Sequence, residues 1–331
     1  MNILIVKLAA LGDVLRTTCL LEPLRRRYPD AKITWVTAAS AAPLLANNPW
    51  LARVLSLEEA RLEKSFDLVL SLEEDASAAR LAQDACRGEL VGIYPDGGKL
   101  RYTASSAAYY DMSLLNADAA GGLSAADRLK AANKLSYARL WLQILKLPAP
   151  SSPMRPWLTL TEEELAFKHP AGAGFIAINP GAGARWPAKQ VSEEKAARIL
   201  ATLAVLGRPL ILFGGKDEAQ RNRAIAAKVP GVVDPGTDLD LRSFAALVNL
   251  CDAVVTTDSL AFHVAAALGK GVAVLVGPTS AAELDGGPRC VKLVPEEGCS
   301  CFYRPRCRLE TSCLDAIPEP AVVEAVKRCL T

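Results

Sequence analysis

Residues 255–269 read VTTDSLAFHVAAALG. An apolar, β-branched run ends in Thr256 and Thr257, and Asp258 and Ser259 follow. An almost wholly apolar run then begins, with His263 in its first turn. This is the pattern of a buried strand, a short turn and a buried helix. Asp258 or Ser259 is expected to cap that helix, and its first-turn N–H groups form a candidate anion site. The chain has only two histidines, and one of them stands here, competing with hydrophobic packing.

The same grammar extends in both directions. Before it come GFIAINPGAG (174–183), SEEKAARILATLAVLG (192–207), RPLILFGG (208–215), DEAQRNRAIAAKV (217–229), GVVD (231–234) and LRSFAALVNL (241–250); GVAVLVGPT (271–279) follows. The first half opens with NILIVKL (2–8), a short loop AALGD (9–13) and a helical pattern from Val14 to about Arg27. KITWVTA (32–38), DLVLSL (67–72) and ELVGIY (89–94) are further strands, separated by Ala-rich helical segments. Such alternation predicts an α/β protein with parallel sheets covered by helices. Four prolines and two serines in LKLPAPSSPMRPWLTL (145–160) halt helix and strand alike. The expected organisation is a Rossmann-like domain over 1–150, a linker over 151–170 and a second Rossmann-like domain over 171–331. The two are expected to face each other across a cleft.

Composition excludes several classes. The 331 residues are 51% hydrophobic and 22% charged, with a net charge of +2; that is ordinary for a globular chain and lacks the basic excess of a nucleic-acid binder. No apolar run reaches the roughly 18–20 residues needed to span a bilayer. The apolar stretch at the start is short and interrupted by Lys7, unlike a signal peptide. A cytoplasmic location is therefore expected.

Ligands of doubly wound sheets bind beyond the carboxyl ends of strands. That rule selects LAALGDVLRTT, NPGAGARWP, FGGKDE and TTDSLAFH. None fits G-x-x-x-x-G-K-[ST], which argues against a P-loop ATPase. Asp13 stands where it would cap the first helix, and Glu218 where it would complement a helix dipole.

In order, LGDVLRTT, NPGAGARWP, FGGKDE, TTDSLAFHVAAALGKGVAVLVGPT and CSCFYRPRCRLETSCLDAI resemble glycosyltransferase family 9, the ADP-heptose:lipopolysaccharide heptosyltransferases. The resemblance covers nearly the whole chain. It implies a GT-B fold, with the acceptor on the N-terminal domain and the nucleotide sugar on the C-terminal one. It also implies inversion at the anomeric carbon without a catalytic cofactor or metal. The donor would be ADP-heptose. The acceptor would be a lipid-linked saccharide of the lipopolysaccharide inner core, at the inner membrane face, which adds a peripheral membrane association. No nucleic-acid partner is expected.

Asp13 matches the family's LGD carboxylate, implied to be the general base that takes the acceptor hydroxyl's proton. Gly12 would supply the turn that presents it, and Arg16, Lys99 and Arg101 are acceptor candidates. Gly181 and Gly183 offer close backbone approach to a diphosphate, with Arg185, Lys189 and Lys216 as candidate cations. Glu218 matches the family's ribose-binding acid, with Asp217 the competing choice. Asp258, Ser259 and His263 would support the donor pyrophosphate. Two positions depart from the pattern. Ala184 replaces the lysine of K-x-W-P, and Leu260 replaces the glycine after Asp-Ser or Asp-Thr.

Cys299, Cys301, Cys307 and Cys313 are spaced C-x-C-x5-C-x5-C. Four thiols so close suit a structural tetrahedral metal, with free thiols or disulfides as the other readings. The alternatives for function keep the fold: transfer to a protein or small-molecule acceptor, epimerisation of a sugar nucleotide, or non-catalytic binding of one.

Overall fold

The computed structural model describes residues 1–116, 121–148, 154–299 and 301–331. The chain divides into two compact units, Met1–Thr159 and Leu160–Thr331. The boundary expected between 150 and 151 falls within 149–153, outside the described residues.

In the first unit the strands are β1 (Asn2–Val6), β2 (Lys32–Thr37), β3 (Leu51–Ser56), β4 (Phe66–Ser71), β5 (Cys86–Asp96) and β6 (Lys99–Tyr102). Their order in the sheet is β3-β2-β1-β4-β5-β6. Ile3 to Val6 are fully buried, the unbroken apolar run of a strand covered on both faces. All pairs are parallel except β5 with β6. That hairpin departs from the expectation of parallel sheets, and it carries Lys99 and Arg101 on β6. Gly97 and Gly98, at φ +56° and +78°, make the tight two-residue turn that joins antiparallel strands.

The helices of this unit are α1 (Leu11–Thr17), α2 (Leu21–Arg27), α3 (Ala76–Ala85), α4 (Ala107–Tyr110), α5 (Gly122–Ala132) and α6 (Tyr137–Ile144). The single helix expected from Val14 to Arg27 is broken by a 3-10 turn, Thr18–Leu20. Pro23 explains the break, because it has no N–H to give to the carbonyl four residues earlier. Beneath α1, Tyr109, Tyr110, Tyr137 and Trp141 pack ring against ring at centroid distances of 5.1 to 6.3 Å.

The second unit contains α7 (Glu162–Leu165), β7 (Phe175–Asn179), α8 (Glu193–Leu203), β8 (Leu210–Leu212), α9 (Ala219–Lys228) and α10 (Leu241–Asn249). β9 (Cys251–Thr257), α11 (Leu260–Ala267), β10 (Gly271–Leu275), β11 (Cys290–Leu293) and α12 (Glu319–Leu330) complete it. The sheet order is β11-β10-β9-β7-β8. The strand expected over 208–215 shortens to three residues before Gly214 and Gly215, and 231–234 contributes only an isolated bridge, Ile211 to Val233.

Each sheet reverses direction once beside its first strand. From β1 the chain builds outward through β2 and β3, then returns to β4 on the other side. From β7 it goes to β8, then crosses to β9. At such switch points the loops leaving adjacent strands diverge and open a crevice at the carboxyl ends. The fold therefore places one candidate site after β1 and another after β7 and β9.

Lys195 of α8 is buried and bonds the Ile317 carbonyl, and Glu319 at the start of α12 pairs with it at 3.1 Å and with Arg198 at 2.7 Å. Burial opposes ionisation of Glu319, but bonds from Arg198, its own backbone N–H and Lys195 prevail and hold its carboxyl at about 2. The folded-state value lies below the ordinary 4.5, so this stabilisation is whole above pH 4.5 and drains as pH falls toward 2. Glu319→Gln is expected to cost about 1–3 kcal/mol at pH 7. Thermal melts should show the gap from the unsubstituted protein closing as the pH is lowered from 5 to 3.

Candidate functional site

The crevice of the second unit is organised by two buried polar side chains. Asn179, the last residue of β7, is 7% exposed. Its Nδ2 donates to the Gly181 carbonyl at 2.7 Å, to Ser259 Oγ at 3.3 Å and to Thr256 Oγ1 at 3.5 Å. One amide thus ties the loop after β7 to the loop after β9. Glu218, also 7% exposed, accepts from Gly183 N at 3.2 Å on Oε1 and from Gly215 N at 2.8 Å on Oε2. It clasps the two glycine loops together. An ideal Cβ on Gly181 would stand 1.6 Å from Glu218 Oε1, so glycine is required there because the carboxylate fills its side-chain space. Gly183 has φ +72°, a left-handed conformation that favours glycine.

Lys189 ends a 3-10 turn, Pro187–Lys189. Its Nζ lies 2.8 Å from Asp258 Oδ2, 5.2 Å from the centre of the Trp186 ring, and the side chain is 16% exposed. His263, 5% exposed, has Nε2 3.8 Å from Asp258 Oδ1 and stands edge-on to Phe262. At that distance the contact is electrostatic rather than a hydrogen bond.

The capping expectation needs correction. Ser259 occupies the N-cap position of α11 but makes no side-chain cap bond. Its hydroxyl turns instead to Thr256 Oγ1 at 2.9 Å and to Asn179, while Asp258 turns to Lys189. The positive end of the α11 dipole is thus uncovered by its own side chains. Leu260 follows at the first helical position, half-buried.

The structure brings Gly181, Gly183, Glu218, Asp258, Ser259, His263 and Lys189 into two connected networks around the strand ends. Arg185, Lys216 and Asp217 are exposed and outside them. Sequence reasoning missed Asn179, Gln190 and Arg221. Gln190 Nε2 donates to the Gly183 carbonyl at 3.0 Å, and Arg221 reaches Gln190 Oε1 at 3.4 Å and the Pro180 carbonyl at 3.5 Å. Burial lowers the Arg221 pKa from its ordinary value, against the opposing fields of Glu218, Glu193 and Asp315. The signal available for Asn179 was a polar residue ending an apolar strand; Gln190 and Arg221 had none.

At the first unit's switch point, Ala10 is the N-cap of α1 and Asp13 lies inside the first turn. Asp13 is therefore not the cap, and Gly12 is helical rather than a turn glycine. Asp13 Oδ1 pairs with Arg16 at 3.1 Å, its side chain 39% exposed. Arg16 also bonds Tyr109 Oη at 3.1 Å and stacks 4.2 Å above the Tyr137 ring. Tyr137 Oη meets Thr17 Oγ1 at 2.8 Å, which donates to the Asp13 carbonyl at 2.7 Å. Burial, first of all, raises the Tyr137 pKa well above its ordinary value. Glu73, unnoticed in the sequence, accepts from Leu8 N, Ala9 N and Lys7 Nζ at 2.8 to 3.1 Å and fixes the loop before α1. Arg101 pairs with Asp96 on the exposed hairpin, and Lys99 lines a groove with Arg61, Arg80 and Asp84. That groove includes none of Gly12, Asp13 or Arg16.

No disulfide joins any of the nine cysteines. Cys301 and Cys307 meet at 3.5 Å, and Cys299 bonds Cys313. Burial pushes the Cys313 thiol up to about 12, with its thiol neighbours adding to the rise. Among the described residues no three His, Cys, Asp or Glu side chains form a preassembled metal site. Outside the cluster, Cys19, Cys251 and Cys329 are buried, and Cys86 and Cys290 are half-buried.

Two doubly wound, mainly parallel sheets, each with polar residues gathered at a switch point, define an α/β protein of the GT-B fold. The family model for glycosyltransferase family 9 (heptosyltransferase) matches residues 126–296; the chain belongs to that family and is a glycosyltransferase. Lipopolysaccharide heptosyltransferase 2 of Salmonella typhimurium is 27% identical over 318 residues, covering 85% of this chain and 84% of that protein. The structure of Escherichia coli ADP-heptose lipopolysaccharide heptosyltransferase II superposes with a TM-score of 0.69 at 21% identity, over 100% of this chain and 98% of that one. An E. coli heptosyltransferase solved with ADP gives 0.66 at 20% identity, over 99% of each chain. At these identities the structural likeness speaks for the fold. No helix among the described residues is long and apolar enough to cross a membrane.

The Glu218 clasp is testable by two glycines of opposite character. Gly181→Ala is expected to destabilise by about 1–3 kcal/mol, since the carboxylate must leave a packed position. Gly215→Ala, at φ −90° with its Cβ 3.9 Å from Glu218, is expected to stay within about 0.5 kcal/mol. Denaturant unfolding of both variants measures the contrast.

Proposed function

We propose that this protein transfers a heptose from ADP-heptose to a lipopolysaccharide inner-core acceptor, with inversion. The donor binds in the second unit and the acceptor in the first, at the inner membrane face. The observation that carries this reading is the crevice after β7 and β9, where a glycine loop, an uncapped helix start and Lys189 converge. A diphosphate needs such an arrangement: backbone N–H donors at close approach and one cation. The names of the relatives support heptose and ADP as sugar and nucleotide.

In this reading Lys189 supplies the charge that Ala184 lacks. The ammonium enters from three residues after Trp186 instead of two before it, and Asp258 holds it beside the start of α11. Glu218 keeps acceptor capacity on both carboxylate oxygens for ribose hydroxyls, beyond the two N–H bonds it already receives. Leu260 retains its backbone N–H, so the helix start still binds an anion, but its side chain narrows the approach. His263 supports the anion from one turn deeper.

Asp13 acts as general base. It takes the acceptor hydroxyl's proton as that oxygen attacks the anomeric carbon, and the ADP phosphate leaves from the opposite face. Arg16 fixes the carboxylate's orientation, and Gly12 leaves room for the acceptor beside it. Lys99 and Arg101 make outlying acceptor contacts. The chemistry uses no bound cofactor.

Incubating the protein with ADP-heptose, with and without a heptose-deficient lipopolysaccharide core, tests the reaction. ADP release and a heptosylated core are expected only in the complete mixture. A donor altered in the absence of acceptor would make the protein an epimerase, and donor binding without turnover would make it a binding protein. Asp13→Asn is expected to lower kcat by about 10²–10⁴-fold with unchanged ADP affinity.

Lys189→Met is expected to weaken ADP binding by about 10–100-fold, the loss of one charge-assisted contact. Adding Ala184→Lys to that variant should restore a substantial part of the affinity. Calorimetric titration with ADP that shows no loss for Lys189→Met would assign the cation elsewhere.

A further inference from the structure

The four clustered cysteines take no part in sugar transfer, yet the fold assembles them around the donor-site turn. Cys301 is 1% exposed and Cys313 7% exposed, and their thiols lie in two contacting pairs, Cys301 with Cys307 and Cys299 with Cys313. The Cys301–Cys307 separation of 3.5 Å is close to the edge of a tetrahedron of sulfurs about 2.3 Å from a zinc ion, roughly 3.8 Å. Backbone amides point at the sulfurs: Arg308 N donates to Cys301 Sγ at 3.1 Å, and Leu309 N bonds Cys307. Arg304, Arg306 and Arg308 lie within the same stretch, and their charges offset the two net negative charges of a divalent cation bound by four thiolates.

We propose that Cys299, Cys301, Cys307 and Cys313 bind one zinc ion, and that this ion buttresses the turn carrying Lys189. Four thiolate ligands select a soft, tetrahedral cation, and a site with four protein ligands is structural rather than catalytic. Without a cation, converging thiolates would repel, so the protonated thiols pair by S–H···S contacts. Among the described residues no three such side chains are placed to hold a metal ion as they stand, so metal entry would require rotation about χ1 to bring the two pairs to one centre, with binding and site assembly coupled.

The buttress runs through the residues between the second and third ligands. Ala188 N, in the Lys189 turn, donates to the Pro305 carbonyl at 3.0 Å. Tyr303 N donates to the Pro278 carbonyl at 2.7 Å, and Ser280 N reaches Tyr303 Oη at 3.4 Å. Tyr303 holds φ +52°, a conformation that persists only where neighbours over-determine it. Gly277 carries no side chain where a Cβ would meet Cys313 Sγ at 3.3 Å and Leu314 at 3.0 Å. Closing Cys301 and Cys307 on one ion fixes both ends of the 302–306 segment that supports Ala188.

The test uses the full chain, purified under reducing conditions, stripped with a chelator and reloaded with one equivalent of Zn²⁺ or Co²⁺. One metal per chain is expected to survive gel filtration, and Co²⁺ should show a thiolate-to-metal charge-transfer band. With Zn²⁺ bound, the half-buried Cys299 and Cys307 should lose their reactivity toward maleimide in the native protein. Cys307→Ser, at a half-exposed position, should abolish retention, and Cys86→Ser, outside the cluster, should leave it unchanged. If Cys307→Ser does not fold, the maleimide count on the unsubstituted protein decides. No retained metal, retention indifferent to Cys307→Ser, an unchanged count of reactive thiols, or an intact mass showing disulfides within 299–313 would each overturn the proposal.

Discussion

A carboxylate can be buried only if other donors replace the water it leaves, and Glu218 meets that condition entirely through backbone. Gly183 N and Gly215 N bond its two oxygens, and Gly181 surrenders its side-chain volume to let the carboxylate in. The loops after β7 and β8 are therefore tied to one charged group. Without it, two glycine-rich segments would each lose a fixed conformation, and ordering them afresh on a ligand would cost affinity. The same carboxylate also acts on Arg221, half-buried, whose guanidinium bonds Gln190 and the Pro180 carbonyl. The crevice loops are thus held together by the chain's own side chains. Asn179 does for the β7 and β9 loops what Glu218 does for the β7 and β8 loops.

Much of this was legible because parallel strands announce themselves. Ile3–Val6, Phe175–Ile178 and Ala253–Val255 are apolar on both faces, so these strands and their alternation with helices follow from hydrophobic patterning, whereas the partly exposed β3 and β11 carry no such mark and were missed. The strand-end rule then selected loops at which the structure gathers polar side chains, among them those of Glu218 and Ser259. What patterning does not carry is partnership across the sequence. Nothing local to Glu73 says that it will receive the amides of Leu8 and Ala9, 65 and 64 residues away. Nothing local to Arg16 says that Tyr109 and Tyr137 will hold it. The hairpin at Gly97–Gly98 was misread for the opposite reason: a local turn signal was present, but a basic, exposed strand has no apolar alternation to mark it.

The capping error is instructive about polar residues at strand ends. Ser259 and Asp258 have the side chains that cap helices, and propensity favours that use. In the fold each finds a stronger competitor, since Ser259 lies between Asn179 and Thr256 and Asp258 beside an ammonium. A local cap is worth about 1 kcal/mol, whereas a charge-assisted bond to a partly buried lysine is worth about 1.5–3 kcal/mol. Tertiary partners therefore strip the α11 terminus of its caps. The uncapped N–H groups are a local cost, and an anion seated there would recover it.

Charge balance gives that argument its last step. Lys189 and Asp258 pair at 2.8 Å, and Arg221 lies in the field of Glu218. A diphosphate bound at the crevice, as proposed above, would compete with Asp258 for Lys189. Repulsion between the two anions would favour sharing the ammonium over displacing the carboxylate. On that proposal Asp258 would act as a spring on Lys189, holding the cation in place when the site is empty and weakening its grip on phosphate when the site is full. Release of a nucleoside diphosphate at every turnover would gain from that compromise, because a cation bound only to product would slow its departure.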